Sequence, residues 1–218
     1  MPGRDLHFSQ VMPIQARSDF KKLSLSSAGF GPLLQRDYWA VILRSRMKPS
    51  EIMDWVGCRF SEFPPRDRAI FSREREGLPL KLGEQIHVKI LGAGSFRVKV
   101  LHRSKNSLTL GTISGHPEAG RITFGAYRNS LGDVVFHIRS RARSSARLSF
   151  LGFRMVGEAM QTHTWTDFVN NIALSAGDGV IGYVHAETEI LPERFQDKPT
   201  DGKFGDKKFG PTFVARGD

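Results

Sequence analysis

The sequence predicts an α+β domain in which a curved antiparallel sheet wraps around a long C-terminal helix. Three observations predict it: an apolar strand-like run followed by a short helical segment, a train of five strand-like segments between residues 85 and 141, and a proline-free stretch of helical period at 146–177. Connections of hairpin length join the five segments, and strands joined that tightly run antiparallel.

Residues 1–34 mix polar, Gly and Pro positions without a sustained period and read as an N-terminal extension. The domain is expected over 35–177. It opens with RDYWAVILRSRM, 36–47, whose apolar middle flanked by charge reads as a mostly buried strand. In KPSEIMDWVGCRFSEFPP, Ser50 is placed to cap a helix that spaces Ile52, Trp55, Val56 and Phe60 at helical intervals until Pro64 and Pro65 stop it. Gly57 marks a break if the helix is two. A turn-rich connector with Gly77 and Pro79 follows.

QIHVKI, SFRVKVLHR, SLTLGTI, GRITFGAYRN and DVVFHIRSR then read as strands. Phe96, Val98 and Val100 alternate with Arg97 and Lys99, the pattern of a half-buried strand. SKNS at 104–107 and RNSLGD at 128–133 supply turn chemistry, and GAGS at 92–95 is a hairpin turn with no Walker lysine after it. Over 146–177, Leu148, Leu151, Met155, Ala159, Trp165, Phe168, Val169 and Ile172 keep to one broad face, and Gly177 suits a C-terminal cap. Residues 178–218 read as a C-terminal extension, with VIGYVHAETEI as one further strand and a flexible tail from about 195.

Composition places the chain among ordinary globular proteins, with 39% hydrophobic and 25% charged residues. The formal charge of +10 suits an anionic partner, but charge constrains solubility and nonspecific attraction rather than activity. A single cysteine, Cys58, excludes an intrachain disulfide and a thiolate-rich zinc site. It fits a reducing, cytoplasmic setting; the basic N-terminal stretch leaves an organelle leader as the alternative. None of the seven histidines shows HxH or HxxxH spacing, so neither a metal nor any other cofactor is expected.

The order strand, short helix, antiparallel strands, long terminal helix is that of the helix-grip fold, whose sheet and helix enclose a pocket. At GTISGHPEAGRITF and SRARSSARLSFLGFR the sequence resembles a family of bacterial and plant proteins defined as a domain of unknown function. The family's signature stands here as Gly111, Thr112, Gly115, His116, Pro117 and Glu118, and the likeness covers residues 36–176. Ile113 and Ser114 replace the family's usual Leu and Pro, and Arg121 and Ile122 stand where it tends to carry acids. The resemblance implies a START-like (polyketide-cyclase-like) helix-grip domain, a superfamily whose members hold lipids, hormones or aromatic intermediates in the cavity.

A small apolar or amphipathic ligand is therefore the expected partner. Trp39, Phe96, Phe124, Phe136, Trp165 and Phe168 are expected on inward faces, as core or cavity lining, and Arg154 as an anchor for a ligand's polar group. His116 and Glu118 admit two readings: an acid–base pair of a cyclase, dehydratase or hydrolase, or a tight turn fixed by the imidazole. Arg139, Arg141 and Arg143 share one strand face. That face is either solvated or a stripe that reads the phosphates of a nucleic acid.

Overall fold

The computed structural model describes residues 23–145 and 150–197, and of 150–160 the backbone only. Eight strands form one antiparallel sheet: β1 Phe30–Val41, β2 Ala69–Ser72, β3 Gln85–Ile90, β4 Gly94–Arg103, β5 Ser107–Thr112, β6 Glu118–Arg128, β7 Val134–Ser144 and β8 His185–Leu191. Their spatial order is β2-β3-β4-β5-β6-β7-β1-β8. Strands β2 to β7 are a meander, and β1 returns to pair with β7 along nine partners from Phe30↔Ser144 to Val41↔Val135. Two helices, α1 Pro49–Cys58 and α2 Phe150–Ala176, pack against the concave face. This is the helix-grip architecture, an α+β fold with a sheet curved around its C-terminal helix.

Local chemistry accounts for most of the elements. Lys48 caps α1 rather than Ser50, because Pro49 at the first helical position presets φ and has no N–H to satisfy. The Glu51 carboxylate then accepts the Lys48 backbone N–H at 2.7 Å. The β3–β4 turn holds Gly92 and Gly94 at φ 80° and 120°, in the left-handed half of the map where glycine alone is unstrained. In the β6–β7 turn, Asn129 Oδ1 accepts the N–H groups of Leu131 and Asp133, the side-chain mimicry that makes Asn a turn residue.

Two elements differ from expectation, and a third follows it. Strand β1 starts at Phe30, six residues before Arg36, with a register shift between Phe30 and Leu34 that absorbs Gly31 and Pro32. The connector after Pro65 contains β2, held by Ala69↔Ile90 to Ser72↔His87 pairing with β3. The VIGYVHAETEI segment extends the sheet as β8, paired to β1 from Leu33↔Leu191 to Trp39↔His185. The expected N-terminal residues 1–22 and the tail 198–218 lie outside the described residues.

The core fills the concave side around α2. Phe168 is fully buried, with Phe136 stacked on it at a 6.0 Å centroid distance and Phe124, Phe60 and Phe63 at 5.3, 5.7 and 5.6 Å. After the helix, Gly177 donates its N–H to Ala173, and a Cβ there would overlap the Leu43 carbonyl oxygen. The chain thus turns tightly against the end of β1, where Ile42 bridges to Val180. Among the described residues no helix is long and apolar enough to cross a membrane.

Removing the ring at the centre of this cluster leaves a void that five aromatic neighbours cannot collapse into. Phe168→Ala is expected to cost about 3–5 kcal/mol, read as a lowered midpoint in urea denaturation.

Candidate functional site

The stretch GTISGHPEAG joins β5 to β6. Ile113 to His116 form a β-turn, closed by the His116 N–H on the Ile113 carbonyl at 3.1 Å, with Gly115 at φ 95°. A positive φ at the third position of such a turn requires glycine. His116 then folds over the start of β6, with Nδ1 3.0 Å from the Glu118 backbone N. The same Nδ1 lies 3.1 Å from the Glu118 carbonyl oxygen, so it accepts from the N–H in one tautomer and donates to the carbonyl in the other. Burial pushes the ring below its ordinary pKa of 6.5, against the opposing pull of the Glu118 charge, and keeps it neutral near pH 7.

The same turn is braced from outside. Ser24 exchanges backbone hydrogen bonds with its surroundings there: its N–H donates to the Thr112 carbonyl and its carbonyl accepts the Gly120 N–H, at 2.9 and 2.8 Å. The Thr112 hydroxyl also donates to the Ser24 carbonyl, at 2.5 Å. Leu23 and Leu25 pack with Leu101 on this convex side. A Cβ on Gly120 would overlap the Arg141 carbonyl, so the glycine permits the close approach of β6 and β7 beside the turn.

Between the sheet and α2 lies a cavity of about 110 Å³. Val88, Ile90, Val98, Leu110 and Ile122 give its floor, and Trp165 with Thr164 and Gln161 closes it from the helix. His116 and Glu118 both line it. Glu118 is paired with Arg36 across β7, Oε1 to Nη1 3.2 Å, both side chains largely shielded from water. Ser140, directly opposite Arg36 in the β1–β7 register, also lines the wall. Polar groups thus gather where β6 leaves the turn, while the rest of the wall is mostly apolar. Arg68 borders the cavity too and is paired with Asp167 of α2 at 2.5 Å.

The residues expected from sequence divide into groups. His116, Glu118 and Trp165 line the cavity. Phe124, Phe136 and Phe168 are fully buried in the aromatic core beside it. Phe96 lies edge-on to His116 at 5.3 Å. Trp39 does not face inward: Tyr38 and Ala40 fill the concave side, so alternation turns Trp39 to the convex side, stacked on His185 at 4.8 Å. The Arg154 side chain lies outside the described residues. Arg36, Arg68 and Ser140 are the site residues that the sequence reading lacks. For two of them a signal existed: Arg36 shares parity with Tyr38, and Ser140 with Ile138.

The arginine face is largely engaged by partners within the chain. Arg139 is 5% exposed, and its Nε donates to Asp37 Oδ1 at 2.6 Å, an oxygen that also lies 2.7 Å from His137 Nε2. Arg141 donates to Gln35 at 2.7 Å and Arg143 faces Glu193 at 3.6 Å. Burial pushes the Asp37 carboxyl up, but the hydrogen bond from His137 and the charges of His137 and Arg139 outweigh it and hold the carboxyl below its usual value. No group of three His, Cys, Asp or Glu among the described residues is arranged to hold a metal ion.

Sheet, gripped helix and the cavity between them define a helix-grip protein. The chain belongs to the family described as domain of unknown function (DUF1990), whose model matches residues 58–171, more than half of its length. Similar solved structures include the major latex-like protein 151 of Panax ginseng, at 13% identity over 67% of this chain and 99% of that one, with a TM-score of 0.44. Norcoclaurine synthase of Thalictrum flavum is similar at 8% identity over 80% and 98%, with a TM-score of 0.48. Protein Ms6760 of Mycobacterium smegmatis follows at 7% identity over 65% and 89%, with a TM-score of 0.44. No curated protein matches the sequence.

Two outcomes follow from this geometry. Arg36→Met strands the Glu118 carboxylate in a shielded position and is expected to cost about 3–5 kcal/mol, whereas the double variant with Glu118→Gln recovers most of the loss; chemical denaturation of the three proteins measures both. The pH dependence of His116 has a definite sign. Its folded pKa lies below the unfolded one, so the contribution is complete above pH 6.5 and is lost as the unfolded chain takes up a proton at lower pH. Replacing it, as His116→Asn, is expected to flatten the fall in stability just below pH 6.5, measured by thermal melts across that range.

Proposed function

We propose that the protein binds a small apolar or amphipathic molecule in the cavity between the sheet and α2. The observation that carries this reading is the wall itself: a mostly apolar lining with a few convergent polar groups, Glu118, Ser140 and His116, at one end. Such a lining solvates a hydrocarbon body and orients one polar group. The neutral His116 adds no charge to the wall, and neither does the Arg36–Glu118 pair.

A second reading rests on the fact that both His116 and Glu118 line the cavity. In it the pair performs acid–base work on the bound molecule. Two features weigh toward binding alone: His116 Nδ1 is engaged by the Glu118 backbone, and the Glu118 carboxylate is engaged by Arg36. Each group has another task in the resting fold. Nucleic-acid binding through the arginine face has less support, since Arg139, Arg141 and Arg143 all face partners within the chain.

Native mass spectrometry tests the reading. Protein isolated without denaturation is expected to retain a small molecule, seen as a discrete mass increment that is released on unfolding. Ile122→Trp fills the cavity from its floor and is expected to reduce the retained fraction more than tenfold while far-UV circular dichroism stays unchanged. An increment that persists in this variant places the ligand elsewhere, and no increment in either protein, followed by no uptake of added apolar probes, removes the reading.

A further inference from the structure

One end of the sheet gathers apolar side chains that the core does not use. The segment after β1 (42–46), the β6–β7 turn (129–133) and the segment after α2 (177–183) meet there. Ile42 donates its N–H to the Val134 carbonyl, Leu43 to Gly179, Asp178 to Leu43 and Ile181 to Val41, each within 2.9 Å. Among the described residues twelve large apolar side chains are exposed, and five of them are here: Leu43, Leu131, Ile181 and Tyr183 on the three segments, and Leu174 in the last turn of α2. Leu174 belongs to the same surface, since a Cβ on Gly179 would lie 3.5 Å from its Cδ2. Leu131, 84% exposed, stands at the tip of its hairpin. Single apolar residues scattered over a surface are ordinary, whereas five on adjoining loops are the kind of patch that marks an interaction site.

The same end is basic. Arg44, Arg46 and Arg128 are exposed, and so is Lys105 in the β4–β5 turn, which the Ala126 N–H on the Asn106 carbonyl sets beside β6 at 3.1 Å. Against these four cations the same segments carry two acids, Asp133 and Asp178. Arg44 and Arg46 share Asp178, at 3.6 and 3.0 Å, so one positive charge is left over. Arg103 and Asp54 nearby cancel each other at 3.2 Å.

A second copy of the chain fits this surface poorly, because a two-fold interface would bring the surplus cations of one protomer against those of the other. A folded protein partner is recognised through packed pockets, and here the apolar groups project from separate loops. An anionic lipid surface suits both features: its headgroups meet the cations, and its fluid boundary takes in apolar side chains whatever their spacing. We propose that this end of the domain docks on an anionic lipid membrane, with Leu131 inserted at the acyl boundary and Arg44, Arg46, Arg128 and Lys105 at the level of the headgroups. None of these residues borders the cavity, and the GTISGHPEAG turn lies at the opposite end of the sheet. Membrane docking and ligand binding are therefore separable.

The test is cosedimentation of the full chain with vesicles of phosphatidylcholine alone and of phosphatidylcholine with phosphatidylglycerol in equal parts. Binding to the mixed vesicles is expected to be about tenfold stronger and to weaken as salt is added. Leu131→Asp is expected to lower that affinity about tenfold, and Lys105→Gln about fivefold. Ile190→Asp makes the same change at an exposed residue toward the other end of the sheet and is expected to leave binding as it was. Equal binding to the two kinds of vesicle overturns the proposal, as do equal losses in Leu131→Asp and Ile190→Asp. No binding to either vesicle also overturns it and leaves the patch to a protein partner. A dimer in light scattering that Leu131→Asp dissociates overturns it in favour of a second copy.

Discussion

The ring of Phe168 is touched by aromatic side chains from three directions: Phe136 and Phe124 from the sheet, Phe60 and Phe63 from the segment after α1, and Trp165 from its own helix. Everything on the concave side is arranged around this contact. A sheet bent around one helix has more inner surface than the helix can cover, so dense packing at one place leaves space at another. Here the dense place is the C-terminal half of α2 with α1 behind it. The space lies one helical turn toward the N-terminus, past Trp165, which belongs to both. Trp165 meets Phe124 edge-on at 5.7 Å and also lines the cavity. The core therefore ends in the cavity wall without a boundary between them.

The convex side obeys a different constraint. A single sheet normally leaves its outer face to water, and polar side chains there need no partners. In this protein Asp37, His137, Arg139 and Thr123 are nearly inaccessible on that face. Burying ionic groups is unfavourable unless each is matched, and the matches run across strands: Asp37 accepts from Arg139 and lies against His137, Gln35 joins Asp37 to Arg141, and Arg121 donates to Asp197 at 2.8 Å. These contacts tie β1 to β7 from behind and β6 to the segment after β8. The strands whose inner faces bear Arg36, Glu118 and Ser140 are thus fixed by an ionic layer on their outer faces.

Much of this was legible in the sequence, and the parts that were not share a cause. The hairpins could be read because Asn129, Gly132, Gly92 and Gly94 act through their own backbone, with no help from distant residues. Length made α2 legible. Strand β2 was hidden because four residues between Pro65 and Gly77 have no period of their own; only pairing with β3 makes them a strand. Strand β8 was weakly marked because nearly all its side chains are exposed, so neither face asks for apolar residues. The bulk of Trp39 suits a core, yet strand alternation assigns the inner face to Tyr38 and Ala40. The same alternation puts Arg36 and Ser140 inside, but a charge or hydroxyl on a strand reads by default as outward. The outward parity of Arg139, Arg141 and Arg143 was readable, while their partners Asp37 and Gln35 lie about a hundred residues away in the chain.

The position of β1 between β7 and β8 has one more consequence. The stretch by which the family is recognised, 58–171, begins after β1 has ended. A polypeptide of those residues alone would contain the turn, His116, Glu118 and Ser140, yet Arg36 would be missing and Glu118 would face an empty strand position. Strand β7 would become a bare edge, its amide and carbonyl rows open to any extended chain, including another copy of itself. The unit of recognition and the unit of folding are different objects here: the first is a run of residues, and the second closes only when β1 is laid beside β7.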